Sequence, residues 1–172
     1  MSPFRNMGGL DNEKRAIELV QLLRAHGLTV ATAESLTGGL VSAVIVDVPG
    51  ASDVLRGAVV AYANEIKRDV LGVDAELLAE RGAINATTAA QMAVGIRNLM
   101  GSDVGISTTG VAGPDPADGV QPGTAYVACS WARDDPAIRA LRLEGTRAQV
   151  RTQVVTRALE LAHATIRQTS GI

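Results

Sequence analysis

The chain contains very few aromatic residues, cysteines and histidines, and each shortage excludes a class of function. Aromatic residues make up only 2% of the chain, so the stacking surfaces that single-stranded nucleic-acid binders use are missing. The one cysteine, Cys129, permits neither an internal disulfide nor a cysteine metal cluster, and we interpret it as a core residue. The two histidines, His26 and His163, do not have the spacing of metal ligands.

The chain also lacks a strong excess of charge and a long apolar run. Its formal net charge of -2 argues against a general nucleic-acid or anionic membrane surface. No apolar run reaches the roughly 18 residues of a membrane span, and the segment MSPFRNMGG has no apolar signal-peptide region. We therefore expect a cytoplasmic protein that binds neither membranes nor nucleic acids in general.

Lysine is scarce, so few side chains can serve as a basic amine in catalysis. Of the 16 basic residues, 14 are arginines and only Lys14 and Lys67 are lysines. Arginine stays protonated in proteins, whereas a buried lysine can lose its proton near neutral pH. Only these two positions can therefore supply a basic amine.

The hydrophobic pattern predicts one domain at 12–170 that follows a flexible tail at 1–11. The predicted strands are 29–34, 56–63, 104–109, 124–131 and 138–143. The predicted helices are 12–25, 38–47, 64–70, 74–80, 85–100 and 147–167, with Asp11 or Asn12, Thr37, Asn64 and Asn85 among the caps. Strands interleaved with helices predict an α/β fold, a three-layer α/β/α sandwich. The short connection between the last two strands cannot be a parallel crossover, so the sheet of about five strands should be mixed and mostly parallel.

The segment TVATAESLTGGL at 29–40 reads as a strand, a tight turn and a helix. Ser35 follows the strand, at the edge where α/β proteins place ligands, and is a candidate nucleophile. The alternative is that Ser35 is only a small residue in a tight turn. Glu34 could contact a ligand or neutralise a buried cation.

Two further candidates end neighbouring strands at the same expected edge. Lys67 lies just after the second strand and could act as the base for Ser35 if it is partly desolvated. Thr109, like Thr108 before it, ends the third strand and could bond to Ser35, Lys67 or a ligand. The alternatives are a solvated surface lysine and threonines that simply fill a strand.

A long loop and two arginines complete the candidates. The loop 110–123 has four glycines and three prolines in 14 residues, so its backbone N–H groups could cradle a substrate, or it could be a connector. Arg147 and Arg151 lie one turn apart on the last helix. They could bind a phosphate together or form salt bridges.

Taken together, these motifs resemble the C-terminal domain of the competence/damage-inducible CinA family, which includes stand-alone nicotinamide-nucleotide amidases. The resemblance runs from about residue 12 to 168 with the motifs in the family's order. The matching segments are AESLTGG (33–39), PGAS (49–52), VVAYANEIK (59–67), LGV (71–73), TTGVAGP (108–114), QPGTAYV (121–127) and GTR (145–147).

The resemblance implies hydrolysis of the carboxamide of nicotinamide mononucleotide to nicotinate mononucleotide and ammonia, without a metal or organic cofactor. It implies that Ser35 and Lys67 form a catalytic dyad with an acyl-enzyme intermediate, and that Thr109 belongs to the site. The further residues expected to bind substrate or stabilise an oxyanion are Glu34, Thr37, Gly38, Gly39, Tyr62, Asn64, Gly110, Gly113 and Arg147.

Two alternatives stay open at this point. Gln121 stands where relatives usually carry lysine, which favours a non-catalytic nucleotide-binding or regulatory module of the same fold. An amidase for another small amide is the second alternative. We also expect a homo-oligomer, because the Ala-rich C-terminal helix could pair with a second copy, although it could equally pack on the sheet.

Overall fold

The computed structural model describes residues 9–131 and 135–170, with the side chains of 169 and 170 left aside. The helices are α1 (Gly9–Ala25), α2 (Leu40–Val46), α3 (Asn64–Asp69), α4 (Ala75–Arg81), α5 (Ala86–Met100) and α6 (Arg147–Ser170), and a short 3₁₀ turn spans Ala51–Asp53. The strands are β1 (Val30–Glu34), β2 (Leu55–Val60), β3 (Val104–Gly110), β4 (Thr124–Trp131) and β5 (Ala137–Arg142).

The five strands form one sheet in the order β2-β1-β3-β4-β5. β1 pairs in parallel with β2 and with β3, whereas β4 runs antiparallel to both β3 and β5. Four of the five strands therefore point the same way, which confirms the predicted mixed, mostly parallel sheet. The carboxyl ends of β1, β2 and β3 meet at one edge.

Helices cover both faces of the sheet. One core joins α1, α2 and α6 to sheet residues such as Val30 and Ile106. On the other face, Ala31 and Ala33 pack with Met92 and Ile96 of α5 and with apolar residues of α4. Neighbouring residues of β1 point to opposite faces of the sheet, and helices cover both faces, so all five residues of this strand are buried. The predicted α/β class is confirmed.

Glycine allows α5 to approach the sheet very closely. A Cβ atom added at Gly105 of β3 would lie 2.1 Å from the backbone oxygen of Ala93 in α5. No real side-chain carbon fits at that distance, so the position requires glycine.

Several predicted boundaries are wrong, and β2 ends at Val60 rather than at residue 63. α1 begins at Gly9, so residues 9–11 are helical and do not belong to the predicted tail; residues 1–8 of that tail lie outside the described residues. α2 begins at Leu40, two residues after the predicted start at Gly38, and Thr37 does not cap it. In α3, Ala63 occupies the cap position and Asn64 is already helical.

None of the helices in the described ranges combines the length and apolar character needed to cross a bilayer.

Candidate active site

A cleft lies at the edge of the sheet where β1, β2 and β3 end. It has a volume of about 210 Å³, and residues from all three strand ends and from α6 line it. The predicted site residues that line it are Ser35, Tyr62, Asn64, Lys67, Thr109, Gly110, Gly113 and Arg147. The cleft therefore brings together the proposed nucleophile, base and arginine from distant parts of the chain.

The turn that carries Ser35 is built around the buried carboxylate of Glu34. Its Oε2 accepts hydrogen bonds from the Thr37 hydroxyl (2.7 Å) and from the backbone N–H groups of Gly39 (3.0 Å) and Val41 (3.0 Å). Its Oε1 accepts from the N–H of Ser42 (2.8 Å) and from a threonine hydroxyl in β1. A negative charge at the start of α2 is favourable, because the first N–H groups of a helix have no partners within the helix.

These bonds correct three predictions. Glu34 is fully buried beneath the turn, so its predicted contact with substrate is wrong. Gly38 and Gly39 have φ angles of 60° and 96°, so both adopt left-handed backbone conformations in the turn before the helix begins. As a result, the N–H of Gly38 donates to the Ser35 carbonyl and that of Gly39 donates to Glu34, and neither is available for an oxyanion. Thr37 likewise does not line the cleft; its hydroxyl bonds to Glu34.

We expect Glu34→Gln to lower the free energy of unfolding by about 3 kcal/mol. Glutamine offers one acceptor oxygen, so its NH₂ group would face donors that the second carboxylate oxygen now satisfies. Urea denaturation of the two proteins measures the difference. Glu80→Gln, on the exposed side of α4, is the control and should change stability by less than about 0.5 kcal/mol. Similar losses in both variants would contradict this role for Glu34.

Two side chains from other elements fix the same turn. The N–H of Ser35 donates to the Thr108 carbonyl (3.0 Å), and the Thr108 hydroxyl lies 2.7 Å from the Thr37 hydroxyl. Arg151 donates through Nε to the Leu36 carbonyl and through Nη2 to the Thr37 carbonyl, each at 2.9 Å. Both of these Arg151 nitrogens bond to the turn, which argues against the alternative in which Arg147 and Arg151 bind a phosphate together.

Lys67 is almost completely buried, with 1% of its surface exposed. Its Nζ donates a hydrogen bond to the Tyr62 carbonyl (3.1 Å) and faces the cleft that Ser35 also lines. Burial lowers the pKa of the Lys67 amine below its usual 10.5, while the negative charges of Asp118 and Glu65 act in the opposite direction with smaller effects. Desolvation thus favours the neutral amine that a base requires.

Thr109 and Arg147 both line the cleft, and each makes hydrogen bonds to neighbouring elements. The Thr109 hydroxyl donates to the Ala83 carbonyl (2.8 Å), so its oxygen lone pairs are the part that can accept a further hydrogen bond. Arg147 donates to the Gly113 carbonyl (2.7 Å) and to the Tyr62 hydroxyl (3.1 Å). Arg147 therefore bridges the long loop and the segment after β2 at the cleft.

The long loop ends in a small hairpin that also lines the cleft. Ala117 and Val120 exchange both backbone hydrogen bonds, and the two residues between them, Asp118 and Gly119, have φ angles of 50° and 73°. Positive φ at both central positions defines a tight two-residue hairpin turn, for which Asp-Gly is a favoured pair. The sequence analysis missed Asp118, although this Asp-Gly pair was a signal for the turn.

The cysteine and the two histidines lie outside the cleft. Burial raises the pKa of the Cys129 thiol to about 12, and this side chain is fully buried in the core, as predicted. His26 is exposed after α1, and His163 lies on α6 away from the cleft. Within residues 9–131 and 135–170, no group of three or more His, Cys, Asp or Glu side chains could hold a metal ion.

Comparison with known proteins identifies relatives along nearly the whole chain. The sequence model of the CinA C-terminal domain matches residues 12–166. A CinA-like protein of Frankia casuarinae is 44% identical over 154 residues, which are 90% of this chain but 35% of that protein. The chain thus spans about a third of the length of this curated relative.

Solved structures share the fold. The competence/damage inducible protein CihA from Agrobacterium tumefaciens superposes with a TM-score of 0.88 at 32% identity, covering 95% of this chain and 98% of that one. A CinA superfamily protein from Klebsiella pneumoniae superposes with a TM-score of 0.87 at 29% identity, covering 91% and 98% of the two chains.

Proposed function

This chain belongs to the CinA C-terminal domain family, and from that premise we propose that it is an amide hydrolase that converts nicotinamide mononucleotide to nicotinate mononucleotide and ammonia. The observation that carries the proposal is the burial of Lys67 in the cleft that Ser35 lines. A serine hydroxyl needs an adjacent base to attack an amide, and a desolvated lysine amine is such a base.

The reaction proceeds by acyl transfer. The neutral amine of Lys67 removes the proton of the Ser35 hydroxyl, and Oγ attacks the carboxamide carbon. As the tetrahedral intermediate collapses, the Lys67 ammonium returns this proton to the leaving nitrogen, which departs as ammonia. Water then attacks the resulting ester with Lys67 again as the base. Ser35 is released with its proton, and the product leaves as the carboxylate.

The developing oxyanion requires N–H donors that point into the cleft. We assign this role to the N–H of Leu36, which directly follows the nucleophile, and to those of Ala112 and Gly113 in the loop, since all three residues line the cleft. Removing one donor from such a site typically costs about 10²–10³ in kcat.

Thr109 and Arg147 have supporting roles in this scheme. We assign to Thr109 the role of accepting a hydrogen bond from the Lys67 amine during the reaction, through the lone pairs that its bond to the Ala83 carbonyl leaves open. Arg147 binds the substrate phosphate, with Tyr62 and Asn64 beside it in the cleft wall. The cleft volume is smaller than the roughly 300 Å³ of pockets for whole drug-sized ligands. In this scheme the carboxamide ring occupies the cleft, and the phosphate lies at its rim, where the exposed Arg147 can reach it.

The position of Gln121 bears on the non-catalytic alternative. Gln121 does not line the cleft; it lines a separate depression beyond the hairpin, together with Arg142 and Glu144. The departure from the family at this position therefore leaves the lining of the proposed site unchanged. Intact Ser35 and Lys67 favour the enzyme over the binding module.

The cytoplasmic location and the homo-oligomer remain predictions that accompany this proposal. The apolar face of α6, which includes Val154, Leu159 and Ile166, packs against α1 and the sheet of its own chain. It is therefore not the surface that a second copy would bind.

We expect the purified protein to release one ammonia and one nicotinate mononucleotide for each nicotinamide mononucleotide consumed. An enzyme-coupled ammonia assay and chromatography of the nucleotide measure the two products. Thermal stabilisation by the nucleotide without ammonia release would instead support the binding module. Ammonia release from other small amides but not from nicotinamide mononucleotide would support an amidase with a different substrate.

A further inference from the structure

Asp118 lies at the tip of the hairpin 117–120, where the tight turn directs this residue to the cleft. It lines the same cleft as Lys67 and Ser35. The negative charge of the Asp118 carboxylate acts on the Lys67 amine and raises its pKa, whereas burial lowers this pKa. Asp118 is exposed, so water reaches it in the absence of a substrate.

The position of Asp118 works against the neutral form of Lys67 that the reaction requires. A carboxylate near Lys67 favours the ammonium form, which cannot remove the proton of Ser35. A substrate that brought its own positive charge into the cleft would be repelled by the Arg147 guanidinium, and also by Lys67 whenever its amine is protonated. A carboxylate on the facing loop offsets that repulsion.

We propose that Asp118 is a specificity-determining residue that selects carboxamides whose ring carries a fixed positive charge, such as an N-substituted pyridinium. The inference rests on the proposed function, since it concerns the substrate of the same cleft. When the ring enters, it displaces water from around the Asp118 carboxylate, and the attraction between the two opposite charges becomes stronger than it is at an exposed surface.

Binding of two matched nucleotides tests the inference. One is nicotinamide mononucleotide, and the other is the nucleotide of benzamide, in which carbon replaces the charged ring nitrogen. Both are titrated calorimetrically at low ionic strength into Ser35→Ala and Ser35→Ala/Asp118→Asn proteins, so that turnover does not interfere. We expect Asp118→Asn to reduce the affinity ratio of the charged to the neutral ligand by about fivefold. Asparagine tolerates positive φ, so the turn is retained.

Asp115→Asn in the same background is the matched control, because Asp115 lines the cleft from the same loop and the substitution removes the same charge. We expect it to change the ratio by less than about twofold, because Asp118 and not Asp115 is among the charges that act on the Lys67 amine in the cleft. An unchanged ratio in Asp118→Asn, or an equal loss in the control, would overturn the assignment. The assay measures binding only. A charge preference without ammonia release from the wild-type protein would therefore reject the proposed function and retain this inference.

Discussion

Ser35→Ala should reduce ammonia release from nicotinamide mononucleotide by about 10⁴-fold or more, because loss of the nucleophile removes the covalent route altogether. The fold should survive. The turn is anchored by the backbone N–H of Ser35, which donates to Thr108, and by the carboxylate of Glu34, and alanine keeps both. Ammonia release measured alongside thermal unfolding separates loss of chemistry from loss of structure.

Ser42→Ala is the matched control for this prediction. It removes a hydroxyl that donates to the Gly39 carbonyl (2.9 Å) in the same turn, outside the cleft. Its expected cost is about 1 kcal/mol of stability, with activity within about twofold of wild type. Turnover in Ser35→Ala at near the wild-type rate would reject the nucleophile assignment, whatever the stability of that variant.

The predictions that succeeded depended on local signals. Asn85 caps α5 as expected, with its side-chain oxygen accepting from the N–H of Thr88 (2.9 Å). The bounds of β4, Thr124–Trp131, agree with the strand predicted at 124–131. The common edge of Ser35 and Lys67 followed from strand direction, since the carboxyl ends of parallel strands lie together.

The predictions that failed depended on where a side chain points after the chain has folded. Glu34 was predicted to contact substrate because of its position beside Ser35. Residues along β1 alternate between faces, and Glu34 points beneath the turn. The glycines after it were read as the first residues of a helix, although two positive φ angles in succession delay the helix to Leu40. Sequence spacing shows neither where the Glu34 side chain points nor how the backbone turns before the helix.

The arginines of α6 illustrate the same limit. Residues four apart share a face of a helix, so joint binding of a phosphate by Arg147 and Arg151 was one of the alternatives that the sequence left open. Their long side chains diverge, because each reaches a different set of carbonyl oxygens. Arg151 donates to Leu36 and Thr37, whereas Arg147 donates to Gly113. Helical spacing gives the common face, and the tertiary partners decide the direction of each guanidinium group.

Lys67→Met should have two opposite effects, a loss of activity and a gain in stability. Methionine has a similar length but no basic nitrogen, so we expect ammonia release to fall by about 10³-fold or more. Lys67→Arg should be equally inactive, because arginine stays protonated. Stability of Lys67→Met should rise by about 1–2 kcal/mol near neutral pH, since the variant no longer buries an amine. The assays are ammonia release and urea denaturation.

The pH dependence of both effects follows from the lowered pKa of Lys67. Between that pKa and 10.5, the unfolded chain binds more protons than the folded chain, so wild-type stability rises with pH across this interval. The excess stability of Lys67→Met should therefore be greatest below the interval and vanish as the pH approaches 10.5. Wild-type activity should rise with pH through the same lowered pKa, as the amine becomes neutral.

The other lysine of the chain provides the control for these effects. Lys14 is exposed on α1, where it lies 3.9 Å from Glu18, and Lys14→Met should leave activity and its pH profile unchanged. Its effect on stability should stay within about 0.5 kcal/mol at every pH. A wild-type activity profile whose midpoint lies at or above 10.5 would show that Lys67 is not held neutral by burial. The base of the reaction would then be another group that lines the cleft. Arginine is excluded because it stays protonated, and His26 and His163 are excluded because they lie outside the cleft.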